Sequence, residues 1–346
     1  MLDHESSYQR CMEKFDLASS KGLSEEALSW LNQALLFNPQ SAEARNHRGE
    51  LLWDGNRFEE ALREFNLAIE ADPEYYCAHL NRLEILIEEF GEYEETLELA
   101  DELLHQGLDG RTEGEIFYLK AKSLFYLDDL EGALFLLRRA VQIQGEAAVY
   151  RGFEGQILLE LGRIEEARRC LARAAQLESD SAHTLYHLAL IAEHDRDYAA
   201  AEDLFLQAEN VQPDLYPRPV RMPAEEFLEA AEEAVRSLPE HIRGYVANCT
   251  ILVEDLPDRE IYEEQAMSPQ ILGLFVGTPS TEPGYSPTLG TAPRMDVDRI
   301  LLFKRNLEKV ATTRAELIEQ VQITVKHEIG HYLGLDEAEL ERLGLG

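Results

Sequence analysis

Residues 49–73 read GELLWDGNRFEEALREFNLAIEADP, and five of them recur elsewhere in the chain at fixed spacing. Gly49, Ala61 and Ala68 are small, Phe65 is aromatic, and Pro73 closes the stretch. Two antiparallel helices approach closely only where both present small side chains at the crossing, and a proline ends the second helix because it lacks the N–H and clashes with the preceding turn. The same marks return every 34 residues. Ala27, Ala61, Ala133, Ala167 and Ala201 share one register, and Ala34, Ala68, Ala140, Ala174 and Ala208 share another, seven residues later. A third small-residue register, twelve before the first, holds Gly49, Ala121, Gly155 and Ala189; Pro39 and Pro73 are 34 apart, and Pro213 stands at the same offset from the last alanines.

Six such units fit between about residue 8 and residue 213. The third is degenerate: Thr96 stands one place off the alanine register, and Gly107 to Gly110 form a loop where the proline is expected. A unit of this size cannot bury its own apolar face, so neighbours must stack, which predicts an all-α solenoid over residues 1–215 with a concave groove. The positions Gly49, Ala61, Phe65, Ala68 and Pro73 resemble the tetratricopeptide repeat (TPR), and that resemblance implies a protein partner in the groove. His183 and His187 are four apart on a predicted helix, the spacing of a metal pair, but no third ligand accompanies them; packing or lining the groove is the expected role.

A cluster of prolines at 213, 217, 219 and 223 breaks the helical pattern and sets a second domain at residues 216–346. Phe227, Ala231, Ala234 and Leu238 then recur at helical spacing up to Pro239. Short β-like runs follow at Cys249 to Val253, Ile271 to Val276 and Ile300 to Phe303, separated by a Pro-, Gly-, Ser- and Thr-rich segment from Thr278 to Pro293 that reads as a long loop beside a cleft. The last helix opens with Thr313 and Glu316 in capping-box spacing and buries Leu317, Val321 and Val325. It carries His327, Glu328, Ile329, Gly330 and His331.

This is H-E-x-x-H on a helix. Imidazoles four residues apart stand on nearly one face, where both reach a single zinc ion, and Glu328 lies one helical step aside, able to touch a metal-bound water without ligating. Gly334 follows three residues after His331 and can take the left-handed conformation that turns the chain back, bringing a carboxylate from Asp336 or Glu337 to the same ion. Glu337 stands where H-E-x-x-H-x-x-G-x-x-ligand proteins place their third ligand; Asp336 is the alternative, better suited to hydrogen-bonding a ligand than to replacing it. Tyr285, in the long loop, is a candidate oxyanion donor against the plainer reading of a packing residue.

Leu238-Pro239-Glu240, Val253-Glu254-Asp255, Gly273-Leu274-Phe275-Val276-Gly277, Asp298-Arg299-Ile300 and the terminal HEIGHYLGLDE resemble the minimal zincin-like metallopeptidases over about residues 222–346. The resemblance implies a small α+β domain holding one zinc through two histidines and an aspartate or glutamate, with hydrolysis of a peptide bond as its activity. The minimal family domain carries no repeat array, and recruitment by the array of the protein that the domain cuts accounts for the pairing. The competing expectation is a non-enzymatic adaptor whose metal domain is structural or inactive.

Composition narrows the partners. The formal charge of −35 disfavours nucleic acid, whose binding rests on clustered Lys and Arg. No apolar run approaches membrane-spanning length, and the first residues lack the pattern of a secretory leader. Four cysteines scattered without C-x-x-C pairing read as small core residues in a reducing compartment, so the expected setting is cytoplasmic, with no membrane partner.

Overall fold

The computed structural model describes residues 2–246, 249–265, 267–277 and 299–335. These pack as two compact units, Met1–Tyr150 and Arg151–Gly346. The first 12 α-helices form six consecutive pairs: α1 (Leu2–Ser19) with α2 (Ser24–Phe37), α3 (Ala42–Asp54) with α4 (Phe58–Ala71), α5 (Tyr76–Ile85) with α6 (Tyr93–Leu104), α7 (Gly110–Tyr126) with α8 (Leu130–Gln144), α9 (Ala148–Glu160) with α10 (Ile164–Leu177), and α11 (Ala182–His194) with α12 (Tyr198–Val211).

The small-residue registers lie where the helices cross. Ala27, Ala61, Ala133, Ala167 and Ala201 are wholly buried, as are Ala34, Ala68, Ala140, Ala174 and Ala208. A Cβ added to Gly49 would sit 2.5 Å from the Phe65 ring, and one on Gly155 would sit 2.5 Å from Leu171 Cγ. Phe65 and Leu171 belong to a further buried register with Leu31, Leu137 and Phe205, all 0 % exposed. Phe65 and Leu171 thus fill the space that Gly49 and Gly155 leave. Pro39, Pro73 and Pro213 stand two residues beyond the helix ends, where the C-cap N–H groups of Asn38, Asp72 and Gln212 still bond Ala34, Ala68 and Ala208.

One left-handed residue per pair makes the turn between its helices: Gly22, Asn56, Gly91, Asp128, Gly162 and Arg196, with φ of 68°, 56°, 66°, 63°, 70° and 61°. The N–H of the residue directly after it reaches back to the ending helix. In five pairs it spans five residues, as from Arg57 to the Leu52 carbonyl, whereas in the third it spans six, from Glu92 to Leu86. The extra residue is absorbed in a π-helical turn, Leu86–Phe90, that continues α5. This explains the displaced Thr96: after the insertion it occupies the alanine position, fully buried, its hydroxyl donating to the Glu92 carbonyl at 2.7 Å. The expected loop in place of the proline falls between α6 and α7, with Gly107 left-handed and Asp109 capping α7.

Beyond α12 come α13 (Ala224–Ser237), α14 (Glu240–Val246), β1 (Thr250–Glu254), α15 (Arg259–Gln265), β2 (Gly273–Val276), β3 (Arg299–Phe303), α16 (Lys304–Leu307) and α17 (Arg314–Tyr332). The sheet order is β1-β3-β2, with β1 parallel and β2 antiparallel to β3. Phe227, Ala231 and Ala234 of α13, Ile300 and Leu302 of β3, and Leu317, Val321, Val325 and Ile329 of α17 form one core. Each large side chain in it contributes about 1.5–3 kcal/mol by leaving water. Leu238, expected in the same stripe, is only partly buried at the C-cap.

None of the four cysteines is bridged by a disulfide; Cys11 is buried as expected, but Cys77, in the first turn of α5, is exposed. No helix among the described residues is long and apolar enough to cross a membrane.

Candidate metal centre

The helix α17 is held firmly around His327, Glu328 and His331. Thr313 and Glu316 cap its start reciprocally, satisfying N–H groups that would otherwise lack partners. Its buried stripe fixes rotation about the axis, and Tyr332, fully buried, stacks edge-on against Phe275 of β2 with ring centroids 5.2 Å apart. The C-terminus closes with paired bonds, Leu335 N–H to the Gly330 carbonyl at 3.1 Å and Gly334 N–H to the His331 carbonyl at 2.9 Å. Gly334 is left-handed, φ 76°, which this closure needs and which glycine adopts without a Cβ clash.

Rotation fixed in this way brings His327 and His331 together. Their Nε2 atoms are 3.0 Å apart, with the rings nearly perpendicular at 82°. Two nitrogens each bound to one tetrahedral zinc ion lie about 3.3 Å apart, given Zn–N distances of about 2.0–2.1 Å. The pair therefore fits zinc as a donor set. Glu328 is buried at 7 % exposure beside them. Among the described residues no three His, Cys, Asp or Glu side chains converge as a metal site. Glu337 and its alternative Asp336 lie outside the described residues, as does the Tyr285 loop.

The strand β2 runs along this face of α17. A Cβ on Gly273 would fall 2.8 Å from Thr324 Cγ2 and 3.1 Å from both Cγ and Oε1 of Glu328. The missing side chain is thus what lets a backbone segment lie against the carboxylate. In the sequence Gly273 counts only toward the family resemblance, although a glycine opening an apolar, aromatic-containing run is itself a sign of close backbone approach. Within the sheet β3 is central and β2 is at the edge, pairing on one side only among the described residues. A cavity of about 490 Å³ opens there, walled by Met267, Ile271, Phe275 and Ile323 and floored by His327, Glu328 and His331.

The second histidine pair is a packing feature. His183 Nε2 meets Gln156 Oε1 at 2.8 Å and His187 Nδ1 meets the His183 carbonyl at 2.7 Å. Burial drives their pKa values down to about 3 and about 4, so both stay neutral.

The sequence pattern described as zincin-like metallopeptidase matches residues 246–346, and that of the tetratricopeptide repeat matches residues 12–76 and 154–217. The human protein O-mannosyl-transferase TMTC3 is 25% identical over 169 residues, 46% of this chain but only 18% of that protein. Among solved structures, Pseudomonas aeruginosa PilF has a TM-score of 0.51 at 17% identity, covering 61% of this chain and 95% of its own. The APC/C hetero-tetramer Cut9–Hcn1 gives a TM-score of 0.50 at 13% identity over 57% of this chain and 38% of its own. At these identities the structures share a fold and no more.

Proposed function

From a chain that joins a tetratricopeptide-repeat region to a domain of the zincin-like metallopeptidase family, we propose a zinc-dependent endopeptidase whose repeats recruit its protein substrate. The 3.0 Å convergence of His327 and His331 on a capped, rigid helix carries this reading. With Glu337 as third ligand they would hold one zinc ion, which when bound supplies Lewis-acid polarisation and a more acidic water. The remaining work falls to the protein. Glu328 takes the proton of the attacking water as its oxygen bonds to the carbonyl carbon, then delivers that proton to the amine as the C–N bond breaks. The free edge of β2 pairs with the substrate backbone in extended form, so that the scissile bond lies over the histidines. Tethering in the repeat groove raises the local substrate concentration of a domain with little surface for pockets of its own. A cytoplasmic setting accords with four cysteines outside any disulfide.

The second reading is a non-enzymatic adaptor with a structural or inactive metal domain. It is favoured by the extent of the repeats and by the two, not three, donors that the described residues bring together. Metal analysis of the full-length protein with a broad peptide-cleavage screen separates the two. Glu328→Ala is expected to keep zinc and lose about 10²–10⁴-fold in cleavage. Zinc bound by an inert wild-type protein would establish the adaptor, and a protein without zinc overturns both readings of the metal site.

A further inference from the structure

Glu193 is in the last turn of α11, in the sixth helix pair, yet its partners belong to the C-terminal domain. Its side chain is 0 % exposed. Oε1 accepts from Arg221 and from Arg305, each at 2.9 Å, and Oε2 accepts from Lys309 Nζ at 3.0 Å. Burial opposes its charge, but Lys309 and Arg221 together hold its pKa below the usual carboxylate range, so the group stays ionised. Secondary contacts follow the same seam: Tyr198 donates to Asp255, and the Arg305 guanidinium lies 3.5 Å over the Tyr198 ring.

The Lys309 side chain is 6 % exposed, and burial works to lower its pKa while Glu193 works to keep it charged. An ammonium has three N–H groups. Here they meet three acceptors: Glu193, Gln270 Oε1 at 3.0 Å and Asn306 Oδ1 at 2.9 Å. The amide nitrogen of Asn306 in turn donates to the Ile271 carbonyl at 2.7 Å and to the Pro269 carbonyl at 2.9 Å. Ile271 is a wall of the cavity beside His327 and Glu328, and β2 begins two residues later. The segment that leads into the edge strand is therefore fastened at 270 by Lys309 and at 269 and 271 by Asn306, which Lys309 in turn holds, and the counter-charge of that lysine comes from the repeat region.

We infer that Glu193 is a positioning residue for the substrate-aligning strand β2, acting through Lys309 and Asn306, so that the sixth repeat is a working part of the peptidase domain. The consequence for the reaction rests on the proposed peptidase activity; the placement of β2 does not. Removing Glu193 takes from a buried ammonium its one hydrogen-bonded carboxylate and leaves only the weaker influence of Glu160, so that either the lysine loses its proton or the segment opens to water. Both routes break the fastening at residues 269–271.

The test uses the full-length chain with Glu193→Gln and with Glu193→Gln combined with Lys309→Met. Amide hydrogen exchange reads the strand directly, whether or not the protein cleaves. Exchange over residues 270–276 is expected to rise about tenfold or more in Glu193→Gln while α1–α8 are unchanged. In the cleavage assay KM rises about tenfold with kcat nearly constant, since alignment and not proton transfer is lost. The double variant removes the stranded charge, so its melting temperature recovers while exchange in β2 and KM stay high. Unchanged exchange in both variants overturns the inference. Recovery of β2 protection in the double variant, or uniform loss of protection over residues 151–346, reduces Glu193 to a structural role and also overturns it. Absent cleavage in the wild type would defeat the peptidase reading and leave the exchange result to decide the positioning.

Discussion

Placing an alanine at 273 probes how closely β2 must approach the proposed catalytic base. The new Cβ would lie 2.8 Å from Thr324 Cγ2, against about 3.5–4.0 Å for carbon atoms in good contact. Strand or helix must then give by roughly 0.7 Å or more. Thr324 has no free rotation to offer, because its side chain is β-branched, 7 % exposed and carried on a helix fixed by its buried stripe. Overpacking of this kind costs about 1–3 kcal/mol, while replacing glycine in a strand regains about 0.5–1 kcal/mol of backbone entropy. The clash wins, with a net loss of about 0.5–2 kcal/mol, or about 1–8 °C in melting temperature for a unit of roughly 200 residues. Function is expected to suffer more, because the same Cβ lies 3.1 Å from Glu328 Oε1, and a displacement approaching 1 Å at the reacting groups costs about 10²-fold in rate. Differential scanning calorimetry and steady-state cleavage measure the two effects. Thr324→Ser removes the clashing methyl, so Gly273→Ala with Thr324→Ser is expected to recover most of the stability. A Gly273→Ala protein that melts with the wild type, or a double variant no better than the single, refutes the close-approach reasoning.

Arg196 takes the left-handed turn position that glycine, asparagine or aspartate fills in the other five pairs. A left-handed L-residue costs about 1–2 kcal/mol, so Arg196→Gly is expected to stabilise the C-terminal unit by about 1 kcal/mol after glycine's entropy is counted, as read by chemical denaturation; a destabilised variant refutes the strain. Acid should weaken the same unit. Burial lowers the pKa of His183 to about 3, and of His187 and His194 to about 4, all well below the unfolded value of about 6.5. Their contribution is therefore present above about pH 6.5 and lost as pH falls toward 4, because unfolding takes up the protons. Denaturant titrations between pH 7 and 4.5 check this, and a His183→Gln, His187→Gln protein should show a shallower slope; an identical slope removes these histidines from the account.

The parts of this fold that could be read in the sequence are those imposed by repetition or by helical spacing. A close crossing favours alanine, with Thr96 the larger occupant in the third pair, so Ala27 and its successors declare the helix pairs, and Thr313 to His331 declare the terminal helix by cap, stripe and four-residue spacing. Gly22, Asn56 and Gly91 also recur with the repeat, but only the structure shows that they and Arg196 make the turns in one conformation. The Glu193 cluster was not legible. Its partners are 28, 112 and 116 residues away, and pairs at such separation leave no periodicity in a chain full of charged residues. The β-runs were found to within one or two residues, but their order was not, because burial of β3 on both faces arises from α13, α17 and its neighbours, none of which a single strand announces.

The widened turn at Leu86–Phe90 shows where this array tolerates a change of length. A residue added to an open loop would leave both neighbouring helices in phase, yet here the addition sits inside a helix, just ahead of a two-residue link from Gly91 to Glu92. The hairpin connection is evidently the stiffer component, held by its left-handed residue and its backbone clasp, while the helix accommodates the excess by bulging. Designers who shorten or lengthen such arrays would do better to vary the helix ends and keep each two- to four-residue corner at its native length.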